Sequence, residues 1–491
     1  MIPVTFSESW RSHPATPATT GMSGAACLMD LSSDSEPALI LMGKGDAAIR
    51  VYDRVGSTRF AEVPSNVTGI HLAGTGLACA VGDFDNDGLE DLALAVTSPD
   101  GQDRIALYRN LGNGRFEDAT AGSGIAATSH PTSLMFVDYD HDGDLDLFVT
   151  GTPTASHAPP NTLWRNNGNK TFTDWTTQAG LEGSAATSAA ILSDLNNDRA
   201  VDLLVAGEAS APTFFSNRRE GPFGSSPLYA ASLPPTVSVT TLDFNKDGWM
   251  DVLLSHSGEP GVTLWRNVDG KNFDRVPLPM KEAMSATAAI PIDFDNDGWI
   301  DIAALVETRR GSELRVLRNL GPAGFVDVSA QLKLNELHLK SARSLLADDV
   351  NQTGATDLIV TQADGSSVLL ANVGGNRNHS LHIVLHGAAD NKSGIGTKVQ
   401  VFANGLWQKW EDTGQREILA GLGSADKADL VRLLWPTGVP QDEIDVAASD
   451  LHPITEIDRR GSSCPTLFAW NGSRYNFVAD VIGAAVIGHW V

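Results

Sequence analysis

The sequence predicts an all-β fold: a seven-bladed β-propeller followed by a small, sandwich-like β domain. An acidic loop pattern recurs six times at steps of roughly fifty residues, the size of one propeller blade. Each loop is followed by a short apolar run rich in strand formers. The repetition then stops at a polar, glycine-rich break over residues 372–378, and β-rich sequence of another kind follows.

The first unit is degenerate. Asp30, Ser32 and Asp34 begin the pattern, but its ninth position is Ala38, so it is expected to have lost its ion; residues 38–42, 49–53 and 60–63 read as its strands. Full loops start at Asp83, Asp138, Asp194, Asp243, Asp293 and Asp349. Behind the loop at Asp83 lie apolar residues 91–96, then 104–110, a Leu-Gly-Asn-Gly turn and 115–120, which makes four strands per unit. Equivalent outer pairs are 163–166 with 172–175, 264–267 with Phe273, and 316–319 with 325–328. The seventh unit continues through 358–361 and 368–372 but lacks an outer strand. Residues 5–9 (Thr-Phe-Ser-Glu-Ser) match the missing piece, so the start of the chain is expected to close the ring and remove an exposed sheet edge.

Each loop has the makings of a cation site. Asp83, Asp85, Asp87 and Asp91 stand at positions 1, 3, 5 and 9, Leu89 brings a backbone carbonyl at position 7, and Gly88 at position 6 permits the positive φ that wraps backbone around an ion. The corresponding residues are Asp138, Asp140, Asp142, Asp144 and Asp146; Asp194, Asn196, Asp198, Ala200 and Asp202; and Asp243, Asn245, Asp247, Trp249 and Asp251. The last two sets are Asp293, Asp295, Asp297, Trp299 and Asp301, then Asp349, Asn351, Thr353 and Asp357. Alternate oxygen donors in an irregular loop suit Ca2+ better than the strict octahedron of magnesium, and no His or Cys at a ligand position speaks for zinc. An EF-hand begins in the same way but needs an acidic twelfth residue and flanking helices; here the twelfth positions include Leu94, Val149 and Leu254, and the flanks are strand-like. One Asp/Asn/Gly cluster reads equally well as an ordinary turn; six in register do not.

Ligand charge and loop rigidity grade the copies, giving about four to six calcium sites. The loops at Asp83, Asp138 and Asp293 carry four carboxylates and are expected to bind best, with the loop at Asp243 slightly weaker. At Asp194 an arginine, Arg199, replaces the glycine, which adds a steric penalty of about 1–2 kcal/mol in the left-handed region and a positive charge, so poor occupancy is expected. At Asp349 only two carboxylates remain, and the site is marginal.

The loop repeats resemble the FG-GAP or VCBS family, known from integrin α-subunit propellers and secreted bacterial proteins, over residues 1–374. The resemblance implies that each loop joins the first two strands of a blade and binds calcium structurally. Further on, Ser-Gly-Ile-Gly-Thr-Lys-Val-Gln-Val (393–401), Leu-Ala-Gly-Leu-Gly (419–423) and Asp-Leu-Val-Arg-Leu-Leu-Trp-Pro-Thr-Gly (429–438) resemble the ASPIC and UnbV module of proteins similar to cartilage acidic protein, over 378–460. Its usual Ser- and Gly-rich stretch is reduced here to residues 413–416, a departure from the pattern that weakens the case for a ligand role of that loop. Strands are expected at 380–385, 396–403, 406–412, 430–434 and 454–458, with Asn404-Gly405 as a hairpin turn. A further hairpin, 466–470 and 475–479, opens a last segment, 461–491, whose apolar end reads as the start of a truncated domain and is too short and interrupted to span a membrane.

Composition sets outer bounds. With 42% hydrophobic and 19% charged residues the chain is ordinary globular material. Its net charge is −25, and 20 carboxylates at loop ligand positions account for much of it. Five bound Ca2+ ions would bring the charge to about −15, a surface that repels nucleic acid. Cys27, Cys79 and Cys464 form no disulfide framework; Cys27 and Cys79 are read as buried free thiols, with a bridge between them as the alternative. No signal peptide precedes residue 20, yet loops of this grade fill at extracellular calcium levels, and an extracellular or periplasmic location is expected.

No Gly-x-Ser-x-Gly, His-Glu-x-x-His or phosphate loop is present. His379, His382 and His386 form the one close histidine cluster; His382 and His386 share a strand face and are read as two solvent-exposed histidines, with a metal site as the alternative. Trp249 and Trp299 are expected to cover the neighbouring blade, with stacking on sugars or a partner as the alternative. The leading function is a non-catalytic, calcium-stabilised propeller whose upper face binds a protein or glycan in adhesion. A carbohydrate-active lyase or isomerase with its site at the propeller channel, and a structural spacer of a larger surface protein, are the alternatives. Convergence of acids and histidines at the channel mouth separates the first two.

Overall fold

A computed structural model describes residues 3–12, 26–46, 48–154, 159–209, 211–219, 221–457, 466–470 and 475–480. Cys464, the turn at 471–472 and the apolar end from 481 onward lie outside the described residues.

Seven antiparallel sheets repeat one plan. In the second blade, Gly74–Gly82 is innermost, the acidic loop leads to Asp91–Thr97, and Asp103–Asn110 and Phe116–Asp118 complete the sheet. The second strand of every blade is buried almost throughout, because blades cover both of its faces. That double coverage is why these strands read as continuous apolar runs rather than alternating ones. Six innermost strands carry a β-bulge near their start, as between Pro131 and Ser133 or Ala286 and Ala288, which adds local twist where the strands crowd the axis.

Innermost strands of successive blades lie against one another, and Ala26–Asp30 of the first meets Ala342–Asp348 of the last. The ring is closed as expected. Thr5–Arg11 is the outer strand of the seventh blade, pairing antiparallel with Ser367–Val373 so that Phe6 faces Asn372. Phe6 and Val4 enter the core between the sixth and seventh blades with Val328, Leu332 and Leu370.

Two sheets form the C-terminal module. His379–His386 lies between Ile418–Gly423 and Ser449–Thr455, and Lys398–Ala403 lies between Leu406–Glu411 and Lys427–Leu434, with Pro440–Ala447 at the edge. Leu381, Ile383, Val399, Val401, Ala420, Val431 and Trp435 fill the space between them. Ile418–Gly423 and Pro440–Ala447 were not among the expected strands: the first is glycine-rich and the second mostly polar, so neither shows an apolar period. Thr466–Trp470 and Tyr475–Asp480 form a separate antiparallel pair.

The thiol expectation is corrected. Cys27 and Cys79 are joined in a disulfide. They occupy innermost strands of adjacent blades, and the ring brings their Cα atoms to 6.3 Å, a separation that a bridge spans. No helix among the described residues is long and apolar enough to cross a membrane.

Candidate metal centre

Each acidic loop ties itself into shape before any ion is considered. The position-1 carboxylate accepts the backbone N–H groups of positions 5 and 6: Asp83 from Asp87 and Gly88 at 3.1 and 2.6 Å, Asp293 from Asp297 and Gly298 at 3.1 and 2.8 Å. The wrap requires positive φ at positions 4 and 6. Asn86, His141, Asn197, Lys246, Asn296 and Gln352 all adopt it, as do Gly88, Gly143, Gly248, Gly298 and Gly354, with Arg199 at φ 75° in place of a glycine. At position 7 the amides of Leu89, Asp144, Ala200, Trp249 and Trp299 donate to the position-5 carboxylate.

In the three four-carboxylate loops this folding gathers acids. One oxygen each from Asp83, Asp85 and Asp91, from Asp138, Asp140 and Asp146, and from Asp293, Asp295 and Asp297 lie within 4.8 Å of one another. Burial first, and the neighbouring carboxylates after it, push Asp138 up to about 8, and hold Asp146, Asp293 and Asp301 well above the usual range. Burial likewise raises Asp91 to about 8. Asp85 Oδ1, Asp140 Oδ1 and Asp295 Oδ1 are buried without a hydrogen-bond partner. Crowded carboxylates with an unsatisfied inward oxygen fit a hard divalent cation, which would meet the free oxygens and cancel the repulsion. Arg109, Arg165 and Arg318 brace the outside, pairing with Asp85 and Asp87, Asp140 and Asp142, and Asp295 and Asp297 at 2.5–3.4 Å.

The other loops are furnished differently. Asn196 and Asn245 turn their amides onto Asp198 and Asp247 at 2.9 and 2.7 Å, and Asn351 turns onto Asp357 at 3.2 Å. Lys398 of the C-terminal module places its Nζ on Asp194. His382 Nε2 stands 3.9 Å from Asp349, and Lys246 lies 5.8 Å over the Trp299 ring. Trp299 also rests on Gly321 of its own blade, and Trp249 on Gly270.

The module covers the loop side of the ring. Ser393 Oγ accepts the Asp83 N–H at 2.9 Å, the Ala389 carbonyl lies against Gly143, Lys409 Nζ reaches the Gly248 carbonyl at 3.1 Å, and Ser380 Oγ donates to the Gly354 carbonyl at 3.0 Å. Gly421 is packed so tightly on the loop at Asp293 that an added Cβ would overlap Asp293 Oδ2 and the Asn296 backbone.

Thr413, Gly414, Gln415 and Glu417 lie at the channel mouth, bordering the innermost strands around a cavity of about 410 Å3. Arg416 pairs with Asp348 at 2.6 and 3.0 Å and with Glu417 at 2.5 Å, and His382 Nδ1 lies 3.1 Å from Glu417. The histidine expectation is therefore corrected for His382, which is 1% exposed because the module seats it against the ring, while His379 and His386 are exposed. Burial opposes the charge on His382, but the Glu417 hydrogen bond and nearby carboxylates outweigh it and leave its pKa raised.

One set of functional residues escaped the sequence reading. Asn110, Asn166, Asn217, Asn267, Asn319 and Asn372 stand at or next to the end of the third strand of six blades. Each donates its backbone N–H to the position-9 Asp of its own loop at 2.7–2.8 Å. Each side-chain amide donates to the position-2 carbonyl of the preceding blade's loop, from Leu31, Phe84, Tyr139, Leu195, Phe244 and Phe294 in turn. In the first blade Arg54 takes over, reaching the Val350 carbonyl at 2.6 Å. The signal available was the recurring Arg-Asn at 109–110, 165–166, 266–267 and 318–319.

Comparison with known proteins agrees with these features. A model described as an FG-GAP-like repeat matches residues 83–149, 194–254 and 243–304, and one described as ASPIC and UnbV matches 387–461. No curated protein matches the chain. Among solved structures, BBS1N in complex with ARL6DN is 13% identical, covering 74% of this chain and 96% of that one at a TM-score of 0.46. The WD40 beta propeller domain of Doa1 is 12% identical, covering 74% and 97% at 0.45. At that level the likeness adds nothing to the sheet topology.

Proposed function

The chain carries FG-GAP-like repeats and an ASPIC/UnbV domain, and from that premise we propose a non-catalytic, calcium-stabilised extracellular protein that binds a protein or glycan partner. The observation that carries the calcium reading is the buried, unsatisfied oxygen of Asp85, Asp140 and Asp295 within three partly buried acid triads. Asp83, Asp85, Asp91, Asp138, Asp140, Asp146, Asp293, Asp295 and Asp297 are the proposed principal ligands, with the loops at Asp243 and Asp349 weaker. The Cys27–Cys79 disulfide supports an oxidising compartment.

Binding is favoured over channel catalysis by the state of the converging groups. Asp348, His382, Arg416 and Glu417 meet at the channel mouth but engage one another, at 4%, 2%, 5% and 3% side-chain exposure. A partner surface is proposed on the outer side of the module. Cross-strand neighbours Trp407, Phe402, Leu430 and Ile444 form an apolar row over four strands, with Trp407 41% and Ile444 72% exposed, and exposed aromatic surface of this kind suits protein or sugar contact.

Calorimetric titration of the chelator-treated protein tests the reading: Ca2+ binds with a stoichiometry of at least three and raises the melting temperature. Absence of binding at millimolar calcium would remove the calcium role.

A further inference from the structure

We propose that Lys398 is the resident cation of the loop at Asp194. Its ammonium takes the place that a divalent ion takes in the loops at Asp83, Asp138 and Asp293, so this loop holds the module in place of a metal. The inference rests on the cation reading above.

Lys398 is 9% exposed and its Nζ bonds to Asp194 Oδ2, the oxygen that also accepts the Arg199 N–H at 2.8 Å. Around it the module makes further charged contacts to this loop. Glu411, the cross-strand neighbour of Lys398, accepts the Ser193 hydroxyl at 2.5 Å and the Asp194 N–H at 3.3 Å, and Lys409 Nζ reaches Asn197 Oδ1 at 2.8 Å. At the three acid triads the module's contacts are the Ser393 hydroxyl, the Ala389 carbonyl and the Gly421 backbone, and near Asp138 it sets the carboxylate of Asp390, an anion. The module's cations are thus sorted, while those at the triads, Arg109 and Lys170 on Asp85 and Arg318 on Asp295, come from the ring itself. Where a triad is complete the module brings no cation to it among the described residues, and where Asn196 and Arg199 weaken the loop it brings a lysine. A divalent ion beside this ammonium would be repelled. Asp202 Oδ2 is buried and has no hydrogen-bond partner, so Asp194 and Asp202 together keep the oxygens that an ion would use once the ammonium is gone.

Crystals of the full chain grown with terbium chloride give the direct test. Anomalous peaks are expected inside the loops at Asp83, Asp138 and Asp293 and not inside the loop at Asp194. A peak at Asp194 overturns the proposal and leaves the cation reading standing; no peak at any loop overturns both. In solution, Lys398→Met is expected to bind one more Ca2+ per chain than the unchanged protein by equilibrium dialysis, and Asp194→Asn to leave the count unchanged. An equal count for Lys398→Met, or a loss of one ion in Asp194→Asn, overturns it. The crystallographic arm needs no variant and decides the matter should Lys398→Met fail to fold.

Discussion

The side-chain amide of Asn319 donates to the carbonyl of Phe244 at 2.8 Å, joining the sixth blade to the acidic loop of the fifth. The same residue donates its backbone N–H to Asp301 at 2.7 Å within its own loop. One asparagine therefore couples the shape of two successive loops, and the arrangement recurs around the ring.

Asn319→Ala leaves the carbonyls of Phe244 and Ile300 without their donor. Because each buried group left unsatisfied costs about 1–3 kcal/mol, a clear loss of stability is expected in urea unfolding. Calcium affinity should fall as well, since the Phe244 carbonyl belongs to a neighbouring loop. A variant with unchanged unfolding and unchanged calcium titration would deny the coupling.

On the proposed reading, calcium is a ligand of the native state alone. At a hundredfold excess over Kd it adds about 2.7 kcal/mol per site, so chelation should lower the melting temperature substantially. Asp293→Ala removes a triad member and should lose most of one ion's stabilisation, whereas Asp349→Ala, in a loop that already faces His382, should lose little. Equal losses in the two variants would reject the ordering of the loops.

Without calcium, pH dependence runs opposite to the usual carboxylate case. Burial raises Asp91, Asp138, Asp251 and Asp357 to about 8 in the folded protein, above their unfolded values. A raised folded pKa contributes stability that is fully present below the unfolded pKa and is lost as pH rises through the folded one. In chelator, the melting temperature should therefore fall between about pH 4 and pH 8. With saturating calcium, which needs the ionised acids, that fall should vanish, and binding near neutral pH should release protons measurable in a weakly buffered titration.

Replacing both Cys27 and Cys79 by alanine removes a bridge between residues 52 apart in sequence. Chain-entropy estimates place the cost at about 2–4 kcal/mol, and urea unfolding should show it. Alkylation under denaturing, non-reducing conditions followed by mass measurement should label Cys464 and leave Cys27 and Cys79 unlabelled. Modification of all three would refute the bridge.

The closing strand, Thr5–Arg11, was legible because the seventh unit ran out before its outer strand and the chain's first residues matched what was missing. The triads were legible because Asp at alternate positions is a local pattern. Asn319 was overlooked because its bond to Phe244 crosses 75 residues, and a single recurring asparagine resembles a turn residue. His382 was misplaced for a related reason: its strand alternates in the ordinary way, and only docking of the module against Asp349 and Glu417 removes it from water.

Local chemistry alone determined the repeat, its strands and the acids able to grip a cation, since spacing and side-chain type need no knowledge of distant residues. Which loops have acids left over for a metal, which are met by Lys398 or His382, and whether Cys27 reaches Cys79 were decided by closure of the ring and seating of the module on it. Those contacts join residues up to hundreds of positions apart, and burial between blades and module sets their charge states.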